Sequence, residues 1–154
     1  MSDPYYPYDL DWVWFACDRN NHIGAFVTAG IAPIPVAFLD LSAPELEDLD
    51  EMTSDLPKVS GSHLLVSMYK DPSSFLDLAE RGIFAYDWSD IHKVDAQSAN
   101  AYQLIAAPTS PILLASLPDK LRALTSVVKF AANDFSEETF LKVHEYFSCR
   151  RGRY

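Results

Sequence analysis

Asp87-Trp-Ser-Asp-Ile-His92 puts two carboxylates and one imidazole within a single short stretch. Asp87, Asp90 and His92 are oxygen and nitrogen donors of the kind that hold a divalent ion. Their spacing matches no established ligand motif, and a strand running out into a polar loop carries the same residues. Nucleophilic chemistry needs Cys17 or Cys149, the two cysteines, beside one of His22, His63, His92 or His144. Cys17 lies between bulky apolar residues, where thiols are mostly inert. Cys149 stands beside Arg150, Arg151 and Arg153, which favour a thiolate. It also lies in a tail expected to fray, where no fixed geometry survives. Five glycines are present, none at a phosphate-loop or dinucleotide spacing. The expectation is a protein without catalytic residues, metal or cofactor, and not an enzyme. Two thiols with no disulfide framework suit a reducing, cytoplasmic setting.

Charge is more informative. The chain of 154 residues has a formal net charge of −10. Residues 1–55 hold 11 acids and one base, Arg19, whereas 56–154 hold 11 of each. All the excess is therefore in the first third. Such a field repels nucleic acid and anionic lipid and steers basic partners inward. Glu45, Glu47, Asp48, Asp50, Glu51 and Asp55 concentrate it. These six are the candidate partner-binding residues. A solvated helix face is the plainer reading of the same acids. Anchors for a tight complex would come from Tyr5, Tyr6, Tyr8, Tyr69 or Trp88.

The elements that position these residues follow from pattern. Trp12, Trp14 and Ala16 on one face and Val13, Phe15 and Cys17 on the other predict a strand buried on both sides. Asp18-Arg-Asn-Asn-His22 is a turn, because asparagine tolerates positive φ. Ile23–Gly30 returns as the second strand of a hairpin. Residues 1–9, with Pro4 and Pro7, read as an extended arm. The prolines of Gly30–Pro35 predict a loop without ladder bonding, and Val36–Leu41 fits either a short strand or the lead-in to a helix. Ser42-Ala-Pro-Glu45 is a helix start with a capping box. That helix runs to about Asp55, with Leu46, Leu49 and Met52 or Thr53 inward. His63–Tyr69 fits either a strand or a helix, with the helix preferred. Asp71–Gly82 is the clearest one, capped by Asp71, with Phe75, Leu76 and Ala79 buried and Gly82 as its left-handed stop. Ile83–Trp88 and Tyr102–Ala107 are strands. Leu117–Leu124 suggests a helical turn, Ser126–Phe130 a strand, and Ser136–Phe147 a last helix with Phe140, Val143 and Phe147 on one face. Residues 148–154 form a basic tail expected to be flexible.

These elements predict a single α+β domain over 1–154. Its sheet is expected to be mostly antiparallel with 4–6 strands, opened by the N-terminal hairpin and accompanied by 3–4 helices. At 49% hydrophobic and 13% aromatic the chain can fill such a core. It has no run of about 18 apolar residues to span a membrane, and no signal-peptide pattern at its start.

Three stretches carry a resemblance. They are Trp14–Pro35 (WFACDRNNHIGAFVTAGIAPIP), Leu78–Trp88 (LAERGIFAYDW) and Tyr102–Pro108 (YQLIAAP). Over roughly residues 8–108 the chain resembles a largely uncharacterised family of small bacterial proteins. Many of these sit beside polymorphic toxins and look like immunity proteins of interbacterial competition. Asn21 and Ala32 depart from the pattern, which tends to have glycine there. The resemblance implies a non-enzymatic immunity protein that binds and occludes a cognate toxin domain. Toxins that attack nucleic acid are typically basic, which suits the acidic segment. Two alternatives stay open: a small hydrolase or transferase working in an acidic cleft at Asp87, Asp90 and His92, and a structural adaptor.

Overall fold

The computed structural model describes residues 12–41, 48–66, 71–89 and 100–150. β1 (Val13–Asp18) and β2 (Ile23–Val27) form the expected hairpin, with Val13 opposite Val27 and Cys17 opposite Ile23. Asn21 turns the chain at φ 62°, in the left-handed region that asparagine tolerates better than most residues.

The chain continues through β3 (Ile34–Pro35), α1 (Val36–Leu39), α2 (Leu49–Ser54), β4 (Ser62–Leu64) and α3 (Ser73–Glu80). Then come β5 (Phe84–Ser89), β6 (Ala101–Pro108), α4 (Asp119–Thr125), β7 (Lys129–Phe130), β8 (Phe140–Leu141) and β9 (Cys149–Arg150). Among the described residues, seven strands make one sheet in the order β4-β6-β5-β2-β1-β7, with β8 also on β6. The architecture is α+β, but the sheet is mixed rather than mostly antiparallel, and larger than expected. β2 runs parallel to β5, and β1 parallel to β7. Parallel neighbours need long crossovers. The 28–83 segment, with its helices, supplies one, and everything between β1 and β7 supplies the other.

Alternation along the central strands sorts the core. Trp14, Phe26 and Tyr86 are solvent-free and stack on one face, with the equally buried Tyr102 edge-on to Phe26. Val27, Ala85, Ile105 and Ala106 cluster with Phe75 and Ala79 of α3 on the other. Small residues there let the helix lie close to the strands. Polar tips inside the aromatic layer are paired: Trp14 Nε1 donates to Tyr102 Oη at 3.0 Å, and Tyr102 Oη donates to the Pro33 carbonyl at 2.9 Å. Tyr86 Oη donates to the Glu138 carbonyl at 2.7 Å, and burial pushes its pKa well above the ordinary value. Gly24 faces the same layer. A Cβ on it would lie 2.9 Å from the Phe135 ring and 3.0 Å from that of Phe26.

α3 ends as its sequence requires. Gly82 N–H bonds the Ala79 carbonyl, Ile83 N–H bonds that of Leu78, and Gly82 sits at φ 90°. At the front, Asp71 Oδ1 accepts from Ser73 N–H and Oγ, although the helix begins one residue after Pro72. A Cβ at Gly82 would meet the Ile112 backbone nitrogen at 2.8 Å and its Cγ2 at 2.7 Å. Gly82→Ala is therefore expected to cost about 2–4 kcal/mol, from the left-handed φ plus the clash. Urea unfolding measures it, and a loss of only about 1–2 kcal/mol, the cost of the left-handed φ alone, would show that Ile112 moves away.

Three local expectations are overturned. The start of His63–Tyr69, for which the pattern prefers a helix over a strand, belongs to strand β4 (Ser62–Leu64), because the edge of β6 at Ala106–Pro108 pairs with it; 67–70 lie outside the described residues. Ser136–Phe147 is not a helix. One turn forms at Asp134–Glu138, then Phe140–Leu141 pairs with Tyr102–Gln103 and a 3₁₀ turn follows at Val143–Glu145. An open sheet edge and the Tyr86 hydroxyl, bonded to the Glu138 carbonyl, outweigh a helical apolar spacing. Finally, Ile34 and Pro35 do join a ladder, opposite Arg150 and Cys149. A two-residue edge tolerates proline, because the next N–H, of Val36, supplies the bond to the Ser148 carbonyl at 2.8 Å. Cys149 is therefore held against β3 rather than loose.

Candidate functional site

The acidic segment enters the described structure at Asp48. α2 is one and a half turns long, with Leu49 buried and Met52 half-buried, so its inner side faces α4. Asp48, Asp50, Glu51 and Asp55 are all exposed. Lys120 Nζ lies 3.4 Å from Asp48 Oδ2. Among the described residues no basic side chain forms an ion pair with Asp50, Glu51 or Asp55. Glu45, Glu47 and the capping box at 42–45 lie outside the described residues, as do Tyr5, Tyr6, Tyr8 and Tyr69. Trp88, read as a possible anchor, is buried in the core.

The other expected ligands do not come together as a described group. Asp87 is buried on β5, while Asp90 and His92 fall outside the described residues. Cys17 is buried, and burial pushes its thiol pKa up, against nucleophilic use.

A cluster the sequence reading did not contain lies at the hairpin turn. Asp18, at the end of β1, is wholly buried. Its Oδ1 accepts the N–H groups of Asn20 at 2.9 Å and His22 at 2.8 Å, and its Oδ2 accepts that of Phe135 at 2.8 Å. His22 points back over this carboxylate, with Nδ1 3.3 Å from Asp18 Oδ2 and 3.7 Å from Asp134 Oδ1. Its ring leans on Phe84, centroids 5.5 Å apart. Asp134 Oδ1 accepts from Ser136 N–H and Oγ at 2.9 and 2.6 Å, and its Oδ2 accepts from Asn20 Nδ2 at 3.0 Å. The Ser136 hydroxyl, followed by the Ser136 N–H and the nearby His22 and Arg19, holds the Asp134 carboxyl below the usual carboxylate range against its partial burial. Arg19 spans to Asp134 and Glu137 at 4.0 and 3.8 Å on the outside.

The visible signal for this cluster was Asp18 and His22 flanking a tight turn. Nothing in the linear spacing places Asp134 beside them, since β7 and the 131–135 loop must first dock on β1.

Comparison with protein-family models, curated proteins and solved structures finds no match. Among the described residues no helix is long and apolar enough to cross a membrane.

Proposed function

We propose that this protein is a non-enzymatic immunity protein, which binds a basic toxin domain through its acidic segment and covers the surface that domain uses on its substrate. The observation that carries the reading is the exposure of Asp48, Asp50, Glu51 and Asp55 on α2, in a chain whose whole charge excess lies in residues 1–55. Asp50 and Glu51 lie in the first turn of this short helix and suit its dipole, whereas Asp55, at the C-cap, opposes it slightly. Charges of this kind speed encounter and select partners more than they add affinity. Leu49 and Met52 seat the helix on α4 and leave the acids facing outward. The resemblance in β1, β2, β5 and β6 supplies the partner class.

The test is binding to the toxin domain encoded beside the gene. A variant combining Asp48→Lys, Asp50→Lys and Glu51→Lys is expected to bind at least about 100-fold more weakly at low salt. Most of that loss should lie in the association rate, with a shallower salt dependence. Unchanged binding at low salt by a folded variant would take α2 out of the mechanism.

A further inference from the structure

We infer that Asp18 Oδ2, His22 Nδ1 and Asp134 Oδ1 form a three-ligand site for a borderline divalent metal ion such as Zn²⁺, with a fourth position open to water. The proposal is independent of the docking surface on α2.

The donor set is one imidazole nitrogen and two carboxylate oxygens, all within 4.8 Å of one another. The His22–Asp18 and His22–Asp134 separations are 3.3 and 3.7 Å. A tetrahedral ion with bonds of about 2.0–2.2 Å has ligand-to-ligand edges of roughly 3.3–3.6 Å. Two of the three edges are therefore close to those of a tetrahedral face, and the third, between the carboxylate oxygens, is no more than 4.8 Å.

A second observation concerns the nitrogen itself. His22 Nδ1 is shut off from solvent and makes no geometric hydrogen bond; its nearest oxygens, Asp18 Oδ2 and Asp134 Oδ1, lie at ion-pair distance. It is aimed between the two oxygens, where a cation would satisfy all three atoms together. The ligands are also held from behind, as metal ligands require. Backbone N–H groups of Asn20, His22 and Phe135 fix Asp18, Ser136 and Asn20 fix Asp134, and Phe84 supports the His22 ring. The side chains of His22 and Asp134 are 19% and 13% exposed, so the cluster lies just beneath the surface. Once bound, it would staple the β1–β2 turn to the loop after β7.

The experiment is calorimetric titration of the chelator-treated full chain with ZnCl₂. The expected result is one Zn²⁺ per chain. In His22→Gln the affinity should fall by at least about 100-fold, beyond the 10–100-fold that outer-shell changes cost. Absence of saturable binding, or equal binding by a folded His22→Gln variant, overturns the site. Should that variant fail to fold, the native protein still decides. Zn²⁺ must shift the Nδ1 resonance of His22 in a histidine ¹⁵N spectrum, and shifts confined to the other histidines overturn the proposal.

Discussion

Phe26→Ala is expected to remove about 3–5 kcal/mol of stability. Five aromatic rings surround this side chain. The ring is solvent-free and stacks on Trp14 at 4.3 Å and on Tyr86 at 4.8 Å between centroids. Tyr102 and Phe135 meet it edge-on at 5.3 and 5.8 Å, and Phe130 closes the layer at 5.8 Å. Truncation loses the transfer energy of a benzyl group and leaves a void. The neighbours cannot collapse into it, because Trp14, Tyr86 and Tyr102 are pinned by hydrogen bonds at their polar ends. Phe26→Leu keeps most of the volume and should cost less, about 1–2 kcal/mol. Denaturant midpoints for the two variants make the comparison. If alanine costs no more than leucine, the aromatic layer is not the rigid body its geometry describes.

Asp18→Ala is expected to cost about 3–5 kcal/mol by a different route. It leaves the N–H groups of Asn20, His22 and Phe135 without their acceptor. Each stranded buried donor costs about 1–3 kcal/mol, less where water reaches it. Asn20 is exposed and recovers part of its loss, whereas the Phe135 N–H lies in the buried interior. The two segments that Asp18 ties together are the hairpin turn and the loop carrying Phe135. Asp18→Asn retains one acceptor oxygen and should lose roughly half as much. Equal stabilities for the alanine and asparagine variants in urea would show that water replaces the carboxylate. Hydrogen exchange at the Phe135 amide should accelerate most in the alanine variant.

Much of the strand framework was legible because it is written locally. β1 and β2 announce themselves by two-sided apolar runs around an Asn-containing turn. α3 carries its own start at Asp71-Pro72 and its own stop at Gly82. β5 and β6 are bounded by Gly82 and by the turn after Pro108. The last helix was misread because Phe140, Val143 and Phe147 satisfy a helical period that the chain does not use. Phe140 and Leu141 instead complete β6 as an edge strand. His63–Leu64 fitted strand and helix alike, because its apolar run is too short for period to decide between them.

The candidate sites divide along the same line. The acidic face on α2 is a property of composition, so Asp48, Asp50, Glu51 and Asp55 were visible at once, and their exposure follows from their solvation. The Asp18–His22–Asp134 cluster was not visible, because its third member arrives only through the β1–β7 pairing.

By itself the sequence determined where strands and helices begin and end in the hairpin, α3, β5 and β6, and where the charge resides. Capping, turn and alternation signals act between residues a few positions apart, so the chain states them directly. Only the tertiary structure decided that β2 lies parallel to β5, that residues 140–141 form a strand, and that two carboxylates and a histidine meet at one turn. Those outcomes depend on which open edges and unpaired donors the folded body offers to segments distant in sequence, and the energy of that pairing exceeds the small local preferences that opposed it.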